Sequence, residues 1–418
     1  MHQSILVAGM IDGIRTLDDF NVEGRTILVR CDFNTPIDSK GEFLEDRRLR
    51  SHRETLTELS KKKARTVIMA HQGRSGESEF TTTEKHAKRL GEILGIKVEY
   101  VDDIFGTYAR EKIKAMKNGE IILLENVRFY SEEETERPSD VQATTFIVKK
   151  LTPLADIFVN DCFGAAHRSQ ASIVGFTRTL PSAAGRLMEK EISSLAKVHT
   201  STKKPIVFVL GGAKVNDSIK IMEKALSNNI DTILTGGLLA NVLLAAKGYR
   251  IGEPSIEVIR GKRFIEQIPA AKELLDRYED RIILPVDVAL NDKGERLEVP
   301  VGELPMDYKI EDVGAETTEK YVEILKKAGT IFANGALGVY ETPKFAVATE
   351  KIIKTIADCK NAFTVIGGGD TVAAARNLNV EDKITHISTG GKASILFLAG
   401  SRLAAIDALK SAATKKVM

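Results

Sequence analysis

The feature that most limits what this chain can become is a regular alternation. Short runs rich in Val and Ile lie at 26–29, 66–70, 97–101, 121–124, 156–159, 205–210, 231–234, 281–284, 330–332, 363–366 and 384–387. Amphipathic stretches such as 50–63, 83–94, 217–228 and 343–359 lie between them. The apolar runs are too short for buried helices and read as strands. Strand and helix alternating from end to end build parallel sheets covered on both faces, whose strands are apolar throughout. The expected fold class is therefore α/β, with doubly wound parallel sheets. A single sheet of all these strands would be large, and 418 residues suffice for two or three domains. A division is expected at a helix over 183–195, with Ser182 as N-cap. That sets an N-terminal domain at 1–182, a connector helix at 183–197 and a C-terminal domain at 198–399. The tail from about 400 to 418 is expected to pack back on the first domain.

Composition narrows the function classes. Lys and Arg total 60 and Asp and Glu 58, a net charge of +2, and aromatics are only 6%. This is not the profile of a nucleic-acid binder. No apolar run reaches the ~20 residues of a membrane span, and the opening Met1-His2-Gln3-Ser4 has no signal-peptide pattern. Cys31, Cys162 and Cys359 are scattered and odd in number. They suit a reducing, cytoplasmic setting and form neither a disulfide nor a zinc framework. The run Glu132-Glu133-Glu134 reads as a solvated loop face.

In open parallel sheets ligands bind beyond the carboxyl ends of the strands, and here the two halves differ. In the first half those ends carry Arg30-Cys31-Asp32-Phe33-Asn34, His71-Gln72-Gly73-Arg74, Glu125-Asn126-Val127-Arg128, and Asn160-Asp161 with His167-Arg168 beyond. Arg47, Arg48 and Arg50 open the first long helix. Guanidinium groups grip phosphate and carboxylate bidentately. The pattern predicts a pocket for a small molecule with more than one anionic group, although any single arginine could be paired structurally with Asp32, Glu125 or Asp161.

In the second half the strand ends are Gly211-Gly212-Ala213-Lys214, Gly236-Gly237, Asn334-Gly335-Ala336-Leu337-Gly338, Gly367-Gly368-Gly369-Asp370-Thr371 and Gly390-Gly391. One Gly-Gly is an ordinary tight turn. Several such ends, one with Lys214 and one with Asp370-Thr371, suit a nucleotide whose phosphates meet backbone N–H groups at helix starts. The P-loop pattern is absent, and Val372 stands where the dinucleotide fingerprint needs glycine. His71 and His167 lie among the arginines. His386 reads as a core residue, and His2, His52, His86 and His199 as surface residues.

Taken in order, these segments resemble the phosphoglycerate kinase family, from about Thr16 to near the end. The carrying motifs are the 27–36, 123–129 and 160–168 segments, then 210–215, 334–341, 367–371 and 388–391. Changes at some of these positions look similar to archaeal members. The resemblance implies two Rossmann-like lobes, one for 3-phosphoglycerate and one for ATP or ADP with Mg²⁺. It implies reversible phosphoryl transfer giving 1,3-bisphosphoglycerate, by a monomer or homodimer. Carried over, Asp32, Asn34, Arg48, His71, Arg74, Arg128 and Arg168 would hold 3-phosphoglycerate. Gly212, Lys214, Ser218, Gly236, Asn334, Gly338, Glu341, Gly367, Gly368, Gly369, Asp370 and Thr371 would serve the nucleotide, with Asp370 near the metal. Arg48, Lys214, Gly368 and Gly369 would act on the transferred group. Two departures stand out. Ser218 occupies the place of a second family lysine, with Lys220 on another helix face, and Lys392 replaces a glycine. The alternatives are a non-catalytic nucleotide- and anion-binding protein, which Ser218 favours, and an NAD oxidoreductase, which Val372 disfavours.

Overall fold

The computed structural model describes residues 10–11, 13–228 and 230–414. After a short hairpin of β1 (Met10–Ile11) and β2 (Ile14–Arg15), six strands form the first sheet. They are β3 (Thr26–Arg30), β4 (Arg65–Met69), β5 (Val98–Val101), β6 (Ile121–Leu124), β7 (Ile157–Asn160) and β8 (Ser182–Ala184). Their spatial order is β5-β6-β4-β3-β7-β8, with every pairing parallel. The sequence reason is visible in β3. Ile27 and Val29 bury on one face and Leu28 on the other, because successive side chains point to opposite sides of a sheet. A strand covered on both sides therefore carries a near-continuous apolar run.

The second sheet contains β9 (Ile206–Leu210), β10 (Thr232–Thr235), β11 (Ile282–Ile283), β15 (Thr330–Asn334), β16 (Phe363–Gly367) and β17 (His386–Ile387). Its order is β11-β10-β9-β15-β16-β17, again parallel. Taken in chain sequence this is the 3-2-1-4-5-6 order of the Rossmann fold, whose direction of winding reverses between the first and fourth strands. That switch lies between β9 and β15. Between β11 and β15 the chain inserts a small antiparallel sheet, β12 (Asp287–Asp292), β13 (Glu295–Pro300) and β14 (Lys309–Val313), in the order β13-β12-β14.

The chain forms two compact units. One runs up to Ser193 and includes the residues from Arg402 onward, and the other is Ser194–Ser401. Within the first unit, the Ala404–Ala413 helix packs on β2 and β8. Ala405 N–H donates to the Ala166 carbonyl at 2.9 Å, and Arg15 Nη2 donates to the Ala413 carbonyl at 3.1 Å.

Several expectations are corrected. Ser182 is not a helix cap. Residues Ser182–Ala184 pair with β7 as an edge strand, and the helix begins at Arg186 and runs to Thr200. The amphipathic stretch at 50–63 is two helices, Arg47–Ser51 and Arg53–Lys61, meeting at His52. His52 and His86 are core residues, 0% and 1% exposed. His52 shares a helix stripe with Leu49, Leu56 and Leu59, and His86 with Ala87 and Leu90. Glu133 is fully buried rather than part of a solvated face. His2 lies outside the described residues.

Candidate active site

At the end of β3, Asp32 is 6% exposed and accepts a hydrogen bond from Arg48 Nη1. Gly164, in the turn after β7, lies against both: a Cβ there would collide with the Asp32 carboxylate. Asn34 Oδ1 accepts from Gly73 N–H at 2.7 Å, tying the end of β3 to that of β4. Arg128 Nη1 donates to the Gly73 carbonyl. It stands in a one-turn helix, Val127–Phe129, begun by Asn126, whose side chain accepts from Arg128 N–H at 3.1 Å. Asn126 Nδ2 in turn donates to the Gln72 and Thr81 carbonyls at 2.8 Å. The positions of Asn34, Gly73 and Arg128 thus follow from loop residues that satisfy each other's backbone groups.

His71 is at the centre of this surface. Its basicity is driven well below the ordinary histidine value, first by burial and then by the charges of Arg30, Arg128, Arg168 and Arg48. Arg128 is itself lowered to about 10 by burial and by Arg168, Arg30 and Arg74, against Glu133. Guanidinium groups that depress one another in this way make a concentrated anion site. The structure therefore brings together Asp32, Arg48, His71, Arg128 and Arg168, with Arg74 at the exposed edge.

Not every basic strand end belongs to that mouth. Arg30 is completely buried. Its Nε donates to Ser172 Oγ at 2.7 Å, its Nη1 to the Cys31 carbonyl, and its Nη2 to His71 Nδ1 at 3.0 Å. Glu133 lies 3.9 Å away and holds Ser172 through both its N–H and its hydroxyl. Of the carboxylates considered as structural partners, Asp32 pairs with Arg48. Glu125 instead accepts from Tyr100 Oη and from Thr83 N–H at 3.0 Å. Asp161 bonds His52 Nδ1 at 2.7 Å and accepts from Leu187 N–H at 3.0 Å, where it caps the Arg186–Thr200 helix. Cys31, His52 and Asp161 each bring one possible ligand atom within 4.8 Å of the others. Both His52 nitrogens are already used, however, since Nε2 accepts from Asp32 N–H at 3.0 Å.

In the other unit the glycine loops lie at the switch point of the second sheet. Gly211 N–H donates to the Asn334 carbonyl at 3.0 Å, Gly212 N–H to Ala336 at 2.7 Å and Gly237 N–H to Leu337 at 2.7 Å. These glycines first serve close packing of loop on loop. At Gly335, with φ +89°, a Cβ would collide with the Gly211 carbonyl. Gly236 is held against Leu337 in the same way. The loops leave a cavity of ≈340 Å³. Gly212, Gly338, Glu341 and Asp370 line it, and so do Asn241 and Glu311. Glu311 comes from β14, in the insertion that the alternation did not reveal. The signal was present: an Asp292-Lys293-Gly294-Glu295 turn with Lys293 and Gly294 at positive φ joins β12 to β13.

Gly368, at φ +84°, precedes the Gly369–Asn377 helix, and a Cβ on Gly369 would meet open space. The first-turn N–H groups of that helix have no intrahelical acceptor. Gly367 ends β16 beside Asn334, whose Nδ2 is buried with no hydrogen-bond partner among the described residues. Thr371 Oγ1 accepts from Gly335 N–H at 2.8 Å, and so pins one glycine loop to the next. Lys214 precedes the Val215–Ser227 helix and is exposed; one turn on, Ser218 is buried while Lys220 is exposed. Lys392 is exposed at the start of the Lys392–Leu398 helix. Burial and the neighbouring Glu341 raise the Asp370 carboxyl, and Lys214 opposes them. Asp370, a carboxylate lining this cavity, offers oxygen donors of the kind that suit a hard divalent cation with few protein ligands.

Residues 17–401 match the family model described as phosphoglycerate kinase. The chain is 49% identical over 398 residues to a phosphoglycerate kinase of Methanothermobacter thermautotrophicus, covering 95% of this chain and 96% of that protein. It superposes on the crystal structure of phosphoglycerate kinase from Pyrococcus horikoshii with a TM-score of 0.89, at 44% identity, covering 95% of this chain and 98% of the other. Against the structure from Coxiella burnetii the TM-score is 0.81 at 31% identity, covering 96% and 100%.

Proposed function

Because the chain belongs to the phosphoglycerate kinase family, we propose that its arginine-rich surface holds 3-phosphoglycerate and its glycine-lined cavity holds the nucleotide. The reaction is reversible phosphoryl transfer between ATP and the carboxylate of 3-phosphoglycerate, giving ADP and 1,3-bisphosphoglycerate in glycolysis and gluconeogenesis. The observation that carries the site assignment is the gathering of Arg48, Arg128 and Arg168 around His71. The substrate has two anionic ends, and this surface has enough fixed positive charge for both.

The acceptor carboxylate is already ionised at neutral pH, so no general base is required. Catalysis then consists of positioning and of stabilising the charge on the transferred group. In this reading Asp32 and Asn34 help to hold 3-phosphoglycerate. His71, Arg74, Arg128 and Arg168 hold its anionic groups, and Arg48 serves the accepting carboxylate. Lys214 and the amides of Gly368 and Gly369 serve the nucleotide phosphates, with Gly367 and Thr371 setting the loop. Gly212, Gly236, Asn334 and Gly338 shape the cavity, Glu341 takes the ribose, and Ser218 offers a neutral hydroxyl where a charge would otherwise stand. The family uses ATP with Mg²⁺. Asp370 would hold the ion, which when bound offsets phosphate charge. The Arg186–Thr200 helix, which passes from one compact unit to the other, is the proposed connector. The three free thiols support a cytoplasmic setting.

The test is a coupled assay with purified protein, ATP, Mg²⁺ and 3-phosphoglycerate. ADP formation that depends on 3-phosphoglycerate is expected. Nucleotide binding without such turnover would overturn the reading.

A further inference from the structure

Arg30 is a full guanidinium with no exposure to solvent, yet the phosphoryl transfer described above gives it no role. Burying an unpaired charge is costly, and every donor that Arg30 uses has a defined acceptor. Ser172 Oγ takes Nε, the Cys31 carbonyl takes Nη1, and Glu133 supplies the counter-charge. Glu133 is itself locked by two bonds from Ser172. The remaining arm, Nη2, points at His71 Nδ1 at 3.0 Å. A guanidinium has donors only, so a bond between these two atoms requires Nδ1 to be the acceptor. A neutral imidazole with an unprotonated Nδ1 carries its proton on Nε2.

We propose that Arg30, braced by Ser172 and Glu133, is a positioning residue that fixes His71 as the neutral Nε2–H tautomer, an uncharged hydrogen-bond donor to an anionic oxygen of 3-phosphoglycerate. This rests on the substrate assignment given above and adds to it the form in which His71 acts. Nδ1 is consumed by Arg30, so whatever His71 offers a ligand it offers through Nε2. The charged groups facing the ring agree. Arg30 from β3, Arg48 from the Arg47–Ser51 helix, Arg128 from the turn after β6 and Arg168 from beyond β7 all disfavour a second proton. Glu133 lies 3.9 Å from Arg30 Nη2, the nitrogen that also bonds the ring, and its own hydrogen bonds go to Ser172. The arginines then supply the charge that attracts the substrate, and His71 supplies direction without adding charge that would change with pH.

The experiment is nitrogen-15 NMR of the imidazole rings in the full-length enzyme, with His71 assigned by its loss in His71→Gln. Between pH 5.5 and 8 the expected spectrum has a pyrrole-type Nε2 and a pyridine-type Nδ1. An Nδ1-protonated ring, or a doubly protonated one at pH 7, overturns the proposal. A second arm uses Arg30→Met with Glu133→Gln, which removes both buried charges together. The KM for 3-phosphoglycerate should rise about tenfold while the KM for ATP stays within twofold, a change of ~10 in one affinity alone. The single tautomer of His71 should also be lost, its two ring nitrogens showing mixed pyrrole and pyridine character. A folded double variant with unchanged KM and an unchanged His71 spectrum overturns the positioning role. If that variant does not fold, the wild-type spectrum and its pH series decide alone. Addition of 3-phosphoglycerate separates the two claims. Unmoved His71 resonances would refute the substrate assignment, whereas the tautomer stands or falls on the ligand-free spectrum.

Discussion

Replacing Arg48 with Ala tests the proposed chemistry most directly. Arg48 Nη1 is bonded to Asp32, and the side chains are 35% and 8% exposed. Two costs follow and can be separated. The first is structural. Asp32 keeps a bond from Asn34 N–H at 3.3 Å but loses its cation. Breaking a fully buried pair costs about 3–5 kcal/mol, but with one partner a third exposed, water screens the remaining charge and about 1 kcal/mol is expected. The second cost is kinetic. Loss of one fixed donor aimed at developing charge typically lowers turnover about 10²–10³-fold, roughly 3–4 kcal/mol. The coupled assay should therefore show kcat reduced by about two to three orders of magnitude. Calorimetric titration should give an ATP affinity within about twofold of wild type, because Arg48 belongs to the other compact unit from the nucleotide cavity. A melting temperature only a few degrees lower would show that the loss is not one of folding. Turnover within about threefold of wild type in a folded Arg48→Ala protein would remove Arg48 from the mechanism.

Other substitutions examine the rest of the argument. Lys214→Met should lower kcat about 10²-fold with little change in the KM for 3-phosphoglycerate, as measured by steady-state kinetics. Gly335→Ala should destabilise the protein by about 3 kcal/mol in urea unfolding, since φ is +89° and the new Cβ meets the Gly211 carbonyl. Tyr321→Phe should cost about 1–2 kcal/mol. Its buried hydroxyl bonds the Thr235 and Ile283 carbonyls at 2.8 and 3.0 Å, and an unchanged urea midpoint would contradict this. Burial lowers His86 from 6.5 to about 4. The unfolded chain therefore takes up this proton first as pH falls, and the associated stability, present above pH 6.5, is lost on acidification toward pH 4. At about 1.4 kcal/mol per pH unit that amounts to roughly 3 kcal/mol. His86→Phe, which keeps the ring packing against Phe33 and Phe43, should flatten this slope, and equal slopes in both proteins would refute it.

Burial and hydrogen bonding decide which parts of this molecule could be read in advance. The parallel strands were legible because a strand covered on both faces carries a near-continuous apolar run, as Ile27-Leu28-Val29 in β3, Val67-Ile68-Met69 in β4 and the whole of β6 do. The ends of those strands were legible because charge and glycine sit where chain direction already places a ligand. The Ser182 error arose because small residues such as Ala183 and Ala184 suit an edge strand as well as a helix, and pairing with β7 decided between them. His52 and His86 were misjudged as polar residues, though both lie on apolar helix stripes. Only the packing shows that Asp161 and Gln72 meet their ring nitrogens.

The amino-acid order by itself determined two parallel α/β halves, one with arginine-bearing and one with glycine-bearing strand ends, because periodicity and side-chain chemistry are local properties. Tertiary structure alone decided which of those groups are spent inside the protein. Arg30 ends β3 and Arg128 follows the end of β6, yet one is sealed against Ser172, Glu133 and His71 while the other belongs to the proposed anion surface. Gly211 and Gly335 face one another, whereas Gly369 faces open space. Those outcomes depend on groups far apart in the chain competing for the same hydrogen bonds and the same volume.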